Sequence, residues 1–255
     1  MLRIFLVSLV FACGAYAQEQ PLENFHVELT AAAWHPSIDG TVMALGLPVA
    51  LHGDLNLDNS WTFFGKLVFK PGRRHRINIE GAPYEFTGRN ILARTITYNG
   101  RTYFVQETVD SEASLNYFFA SYQYDVISRA RGHLGLEVGG AYLGATGTIS
   151  GVTSGISATD NQSIGLPLAG AEFRAFLLPR SRLLNVNGEA KGMSFGGYGD
   201  YFQGVVNVGV GTRRFTVQAG YQYVNADIHE NRAVNPSGIA PTFRGPIFSV
   251  QFRDR

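Results

Sequence analysis

The sequence predicts an all-β fold, a single antiparallel up-and-down transmembrane β-barrel of about ten strands (roughly eight to twelve). One observation is a two-residue period of apolar side chains, which turns Leu136 and Val138 to one face of a strand and Glu137 to the other. The same period returns over residues 202–211 and 215–223. The second observation is the composition, because 30 glycines, 16% charged residues and 13% aromatic residues suit a crowded barrel interior and an aromatic girdle.

The chain begins with a predicted secretory signal peptide over residues 1–17, followed by a predicted barrel domain over residues 18–255. Arg3 supplies the positive start, and the stretch from Ile4 to Ala12 is apolar and carries no charge. Ala15-Tyr16-Ala17 is a small-x-small cleavage site. We therefore expect an exported protein.

The charge balance and the cysteine count narrow the possible functions. Removing residues 1–17 removes Arg3 and the only cysteine, and it leaves twenty basic against twenty acidic side chains. A neutral mature chain lacks the basic excess that a nucleic-acid partner requires, so we expect no such partner. Since no later stretch is apolar over the length of a spanning helix, strands are the expected means of crossing a membrane.

Ten periodic segments are bounded by turn signals and are predicted as the strands of the wall. They cover residues 24–35, 61–70, 75 onward to as far as 98, 102–126, 133–149, 163–178, 184–194, 201–211, 215–228 and 245–252.

Four features of these segments carry further expectations. In the first strand, Phe25 is expected to face outward with the other odd-numbered residues. The apolar stretch Val42–Leu51 predicts either a short extra strand pair or a segment tucked into the barrel. Asn99-Gly100 is a strong signal for a two-residue hairpin. A phase change at Phe118–Phe119 predicts a β-bulge.

The connections alternate in length, which favours a barrel that spans the outer membrane. Short basic turns are predicted at residues 71–74, 128–132, 179–182 and 212–214. Long connections rich in small and polar residues are predicted at 36–59, 151–162 and 229–244. Outer-membrane barrels have short periplasmic turns and longer external loops. A soluble periplasmic β-sandwich binding protein remains the alternative fold, although its strands are usually about 5–6 residues long.

The chain resembles the small outer-membrane β-barrel proteins of Gram-negative bacteria, the broad OmpA/OmpW-like group. The resemblance is carried by the turn Gly211–Phe215, which leads into the strand Ala219–Tyr223, and it extends over nearly the whole mature chain. Phe248, Val250 and Phe252 are similar to a C-terminal insertion signal, although three further residues follow them. The resemblance implies the cell outer membrane as the location, with outer-membrane lipid and the barrel-insertion machinery as partners.

Alternation places charges of both signs on the inward face of the predicted strands. Two interpretations of these lumen charges are open: a core of ion pairs that holds a filled barrel shut, or a narrow pore whose charges set selectivity. The predicted lumen charges are Glu28, Lys66, Arg76, Glu80, Glu137, Glu172, Arg174, Glu189 and Lys191. The predicted lipid-facing aromatic belt is Tyr117, Phe119, Tyr122, Tyr124, Phe202, Tyr221, Tyr223 and Phe252.

Evidence for catalysis in the sequence is limited to His35-Pro36-Ser37 and His229-Glu230, which fall near the outer ends of strands. No G-x-S-x-G elbow accompanies them, and the histidines show no metal-ligand spacing, so no catalytic residue, metal site or cofactor is predicted. We expect a non-enzymatic outer-membrane barrel with a structural or small-pore role. The alternatives are a passive porin for small hydrophilic solutes and an outer-membrane lipid-modifying enzyme.

Overall fold

The sheet closes on itself because its first long strand pairs with its last. The computed structural model describes residues 23–43, 48–178, 181, 183–194, 196, 199–230 and 237–254. In chain order the strands are β1 (Val27–Trp34), β2 (Ser37–Met43), β3 (Pro48–Ala50), β4 (Thr62–Gly72), β5 (His75–Ile91), β6 (Ile96–Tyr98), β7 (Arg101–Tyr103), β8 (Thr108–Arg129), β9 (Gly132–Gly151), β10 (Ser157–Phe176), β11 (Leu184–Ser194), β12 (Gly199–Gly211), β13 (Phe215–Glu230) and β14 (Ser237–Arg253).

Ten of these strands form the wall, each antiparallel to its neighbours. Their order is β1, β4, β5, β8, β9, β10, β11, β12, β13 and β14. The β1–β14 pair, in which Ala31 lies opposite Val250, completes the ring. The predicted ten-stranded barrel is therefore confirmed, and the β-sandwich alternative is wrong because the sheet has no free edge along the ring.

The outer wall is apolar near the turns and polar farther up. On β9, Leu136, Val138 and Tyr142 are each more than half exposed on the outer face. The outward positions that follow are the small or polar residues 144, 146, 148 and 150. An apolar outer band around a polar interior is the arrangement of a membrane barrel. Among the described residues, no helix is long and apolar enough to span a membrane.

The strands rise well above this apolar band. β8 has 22 residues, and at about 3.3 Å per residue and a tilt of about 45° such a strand stands about 50 Å tall, whereas the apolar band of such barrels is about 25 Å. Both described ends of the chain and the short turns lie at the opposite, periplasmic end. The predicted signal peptide, residues 1–17, lies outside the described residues.

Two of the predicted long connections are mostly strand. β9 continues to Gly151 and β10 begins at Ser157, and β13 continues to Glu230 before β14 begins at Ser237. Their serines, threonines and glycines resemble loop sequence, but each backbone pairs in register with its neighbour. Above the membrane these polar side chains face water, so composition there does not distinguish strand from loop.

Residues 36–59 adopt both of the arrangements that the sequence left open. β2 pairs with β14 on one side and with β3 on the other, so an extra strand pair is present. Leu51, Leu55 and Leu57 then turn into the barrel and are buried.

The Asn99-Gly100 signal is confirmed as the tip of a small hairpin. Asn99 and Gly100 have φ angles of 44° and 73°, the left-handed pair that a type I′ turn requires. Because β5 ends at Ile91, this hairpin of β6 and β7 is a separate insert rather than part of the wall. It folds onto the inner wall, where Tyr98 and Tyr103 donate hydrogen bonds to the carbonyls of residues 147 and 149.

Two expectations about β8 are wrong, and they have one cause. The register irregularity lies between Asp125 and Ile127, not at Phe118–Phe119. Tyr117 and Phe119 are 7% and 1% exposed inside the barrel, so they do not belong to the lipid-facing belt. An aromatic side chain that fills the lumen looks, in the sequence, like a change of phase. The other predicted belt residues, Tyr122, Tyr124, Phe202, Tyr221, Tyr223 and Phe252, are exposed on the outer wall.

Adjacent glycines of β9 provide a matched test of closure. A Cβ on the inward Gly139 would lie 2.2 Å from the Ala120 carbonyl oxygen, whereas a Cβ on the outward Gly140 meets nothing within 4 Å. We expect Gly139→Val to prevent pairing of β8 with β9 and to abolish the faster migration of unboiled protein on a detergent gel. Gly140→Val should keep that shift, and equal behaviour of the two variants would contradict this account of the wall.

Candidate functional site

The polar lumen is the candidate site, and the structure places all nine predicted lumen charges in it. Their side chains are at most 13% exposed where they form ion pairs, and Glu137 is 4% exposed. The alternation of the strands explains this placement, because each charge occupies the inward phase of its strand. The nine charges that alternation assigns to the inward face therefore lie together in the lumen.

The lowest tier of the lumen joins the first and last strands of the wall. Glu28 on β1 accepts two hydrogen bonds from the Arg174 guanidinium, at 2.8 and 2.9 Å, and a further one from Arg253 Nε on β14. Both arginines and the carboxylate are buried. Charge-assisted, bidentate hydrogen bonds of this kind are among the strongest in proteins.

A second carboxylate enters the same tier from the segment that precedes β1. Glu23 accepts hydrogen bonds from Arg76 at 2.8 Å and from Arg174 at 3.1 Å, and it contacts His133 Nδ1 at 2.7 Å. Arg76 also binds Asp125 through two nitrogens, at 2.9 to 3.2 Å. The network therefore links the segment before β1 to β5, β8, β9 and β10.

Phe25 closes the periplasmic mouth of the lumen, so its predicted outward orientation is wrong. It is 3% exposed, and Lys70, Arg76 and Arg253 lie 5.2 to 5.8 Å from its ring centroid. Since β1 begins only at Val27, the strand alternation does not extend to Phe25, and the preceding segment turns into the barrel instead.

The next tier is built around two lysines. Lys66 pairs with Glu172 at 3.1 Å and with Glu189. Lys191 pairs with Glu189 at 2.8 Å and with Glu80, and its ammonium lies 4.3 Å from the Phe119 ring centroid. The inward aromatic residues of β8 thus pack against a cation rather than against lipid.

Glu137 differs from the other eight charges because no ion pair to it is found among the described residues. Its Oε2 accepts hydrogen bonds from Ser121 at 2.9 Å and from Asn78 at 3.4 Å. Its Oε1 is buried and has no hydrogen-bond partner within the described structure.

Above these tiers lies an aromatic septum, a cluster of buried rings from β1, β5 and β14. Trp34 is fully buried, with its ring 5.9 Å from that of Tyr84 and 6.4 Å from that of Phe243. The indole nitrogen donates a hydrogen bond to the Gly245 carbonyl at 3.1 Å. Phe86 stacks on Phe243 at 5.6 Å. A polar cavity of about 610 Å³, open regions included, lies below the septum and contacts Glu28, Lys66 and Glu189.

An ion pair at the external end, here called the clamp, joins the leucine-bearing turn to the segment that leads into the β6–β7 insert. Asp54 accepts a hydrogen bond from Arg94 Nε at 3.1 Å and another from the Ala50 backbone at 2.8 Å, while Arg94 also donates to the Pro48 carbonyl at 2.7 Å. The Arg94 hydrogen bond holds the pKa of Asp54 below its usual value. The leucine-bearing turn and the start of the β6–β7 insert are therefore fixed to each other.

Sequence reasoning missed the members of the network that lie outside clear strand alternation. Glu23 precedes the first strand. Asp125 adjoins the β-bulge, which the sequence predicts at Phe118–Phe119 instead. Arg253 follows the predicted insertion signal. It lies two residues after the inward Gln251 and therefore faces the lumen as well. Extending the alternation of β14 by one step would have found it.

The candidate catalytic residues do not form a pair. Ser37 Oγ donates to the Arg244 carbonyl at 3.0 Å, and the His35 ring packs edge-on against Trp61 at 4.9 Å. The side chains of His229 and Glu230 lie outside the described residues. Across the described chain, no group of three or more His, Cys, Asp or Glu side chains could hold a metal ion.

Comparisons with known proteins support the fold. No family model and no curated protein matches the chain. Among solved structures, it is similar to the outer membrane protease OmpT from Escherichia coli, with a TM-score of 0.54 and 9% identity over 91% of this chain and 100% of that one. It is also similar to the translocator domain of autotransporter NalP from Neisseria meningitidis, with a TM-score of 0.48 and 12% identity over 91% and 90%.

The likeness to OmpT, together with the closed ring and the apolar outer wall, defines the class. The chain is an outer-membrane β-barrel protein of the Gram-negative type: the expected fold is confirmed by the ring and by that likeness, and the apolar band around the ring supports the expected location. At such low identity the resemblance to OmpT establishes the fold alone.

Removing Glu28 tests the lowest tier. Glu28→Gln leaves Arg174 and Arg253 buried with less compensating charge, and breaking a buried pair in this way costs about 3–5 kcal/mol. We expect the free energy of unfolding, measured by urea titration in lipid vesicles, to fall by that amount. Glu85→Gln, the same change on an exposed outward position of β5, should leave it nearly unchanged. Equal effects would show that the tier does not stabilise the barrel.

The Asp54–Arg94 clamp predicts a local dependence on pH. Because the pKa of Asp54 is lowered in the folded protein, the clamp stabilises the insert above the unfolded value of about 3.9 and is lost as pH falls through the lower folded value. We expect hydrogen exchange of residues 50–57 to be slow at pH 7. In Asp54→Asn it should be faster at pH 7, while exchange in β9 stays unchanged. Unchanged protection of residues 50–57 would contradict the clamp.

Proposed function

We propose that the protein is a non-enzymatic outer-membrane barrel with a structural role, whose polar lumen is a charge-paired core and not an open pore. The observation that carries this proposal is the double closure of the lumen. Phe25 and Glu23 close the periplasmic mouth among buried arginines, and the Trp34 septum closes the path above. A hydrated ion would have to displace both.

The pattern of pairing also favours a structural lumen. The three arginines of the lowest tier, together with Lys66 and Lys191, are each held by one or more carboxylates at hydrogen-bond distance. The buried Lys70 donates instead to the Glu23 backbone carbonyl at 3.2 Å. Selectivity in a pore depends on charges that are free to meet the permeating solute. Side chains already engaged with one another contribute instead to cohesion among strands that are far apart in sequence.

A gated pore for small hydrophilic solutes is the second candidate, because one observation favours it. The polar cavity below the septum contains both signs of charge and would form the conducting compartment if the closures moved. The lipid-modifying alternative has less support, since Ser37 and His35 contact other groups and not each other.

The last strand supports a proposal about assembly. Phe248, Val250 and Phe252 are each at least 39% exposed on the outer wall of β14. We infer that this outward row is the insertion signal met by the barrel-insertion machinery, and that outer-membrane lipid then covers it.

Conductance in planar lipid bilayers tests the closed lumen. We expect the wild-type barrel to show no defined current steps, and Glu189→Gln to show none either. A steady wild-type conductance that Glu189→Gln changes, while the outward Glu85→Gln does not, would overturn the structural proposal in favour of the pore. Heat-modifiable gel migration of each sample confirms that a folded barrel was inserted.

A further inference from the structure

A chamber open to the outside lies in the external half of the barrel, above the septum. It encloses about 800 Å³, its mouth included, between the inserted leucine turn and the inner wall of β8, β9 and β10. Leu51, Leu55 and Leu57 line one side, and Phe86 and Phe243 close its inner end. A molecule that enters this chamber must leave by the same external mouth.

The chamber exists because small residues occupy the inward positions opposite the leucines. Ala113 on β8 lies opposite Gly147 on β9, and Leu115 lies opposite Ala145. Protein interiors are close-packed, with few voids larger than a water molecule. A single larger side chain at Ala113 or Ala145 would fill much of the space, so the cavity does not follow from closing the barrel.

The charges along this wall have one sign. Among the described residues that line the chamber, Asp160 is the acidic side chain that points inward, Glu112 takes the exposed outward phase of β8, and none is Lys, Arg or His. Asp160 takes the inward phase of β10, is half-buried, and accepts a hydrogen bond from Gln162 at 3.1 Å. Within the described chain it forms no ion pair, in contrast to Asp54 and Asp110 at the same end of the barrel.

We propose that the chamber binds a small apolar molecule that carries one ammonium group. Its apolar part would lie among the leucines and the two phenylalanines, and its ammonium would pair with Asp160. Ligand sites typically combine a mostly apolar cavity with a few polar groups that fix orientation. An anionic molecule of the same shape would meet the Asp160 carboxylate and no cation, so it should be excluded.

The proposal goes beyond the closed lumen and does not depend on it. The chamber lies on the external side of the septum, where binding is possible whether or not the lower lumen conducts. Failure of the binding test and appearance of a wild-type conductance are therefore separate results.

Binding of 2-phenylethylamine tests the proposal, with 3-phenylpropionate as the anionic molecule of similar shape. Calorimetry on the full-length barrel in nanodiscs, with empty nanodiscs subtracted, should show that the amine binds and that the acid binds at least about tenfold more weakly. Equal affinity for the two, or no binding of the amine, would overturn the proposal.

Three variants locate the site. Asp160→Asn should weaken amine binding by about fivefold or more, the effect of losing one partly exposed ion pair, whereas Asp58→Asn, an exposed carboxylate at the same end, should not. Ala145→Leu should abolish binding by filling the chamber, and Ala113→Leu provides the same test from β8 if the first variant does not fold. Undiminished binding in a folded filled variant would show that the amine binds elsewhere.

Discussion

The pairing of buried arginines near the periplasmic end is the constraint on which the rest of the structure depends. Arg174 and Arg76 point into a space that has little contact with water, where an unpaired charge is strongly unfavourable. Glu28 pairs with Arg174 and Arg253, and Asp125 pairs with Arg76, so two carboxylates face three guanidinium groups. The segment before β1 supplies Glu23 as the additional carboxylate, and in doing so it carries Phe25 into the mouth. Charge balance, closure of the ring and closure of the lumen are thus one arrangement.

From that tier upward, the interior changes from polar to apolar along β1 and β5. On β1 the inward residues run from Glu28 through Thr30 to Trp34, and on β5 they run from Arg76 to Phe86. The outer wall changes in the opposite sense, from apolar where lipid covers it to polar where water does. The upper half of the barrel therefore resembles a soluble β-protein with an apolar core, and the lower half has the reverse polarity of a membrane barrel. The inserts cover part of the upper half because its apolar wall would otherwise face water.

The sequence predicts the lower half of the barrel better than the upper half. In the lower half polar side chains face the lumen and apolar side chains face lipid. Alternation alone therefore assigns Glu28, Arg174 and Lys191 to the lumen. In the upper half the rule reverses, so serine-rich strands resemble loops. In the second tier, inward aromatic residues such as Phe119 resemble lipid contacts. Partners far apart in the chain are also invisible to a periodic pattern, which is why the role of Glu23 could not be predicted. The inward turn of the segment before β1 brings it next to Arg76.

Two carboxylates differ from the residues that surround them in their half of the barrel, and they do so for different reasons. Glu137 stands in the charged half without an ion pair, but hydrogen bonds from Ser121 and Asn78 hold one of its oxygens, so it belongs to the network around it. Asp160 stands in the apolar half, opposite Gly147, and its side chain accepts a hydrogen bond from Gln162. A charge costs less at the open mouth of a chamber than within a packed core, and it is retained there without contributing to the closure of the barrel. That contrast separates a residue that serves the fold from one that is available to a ligand.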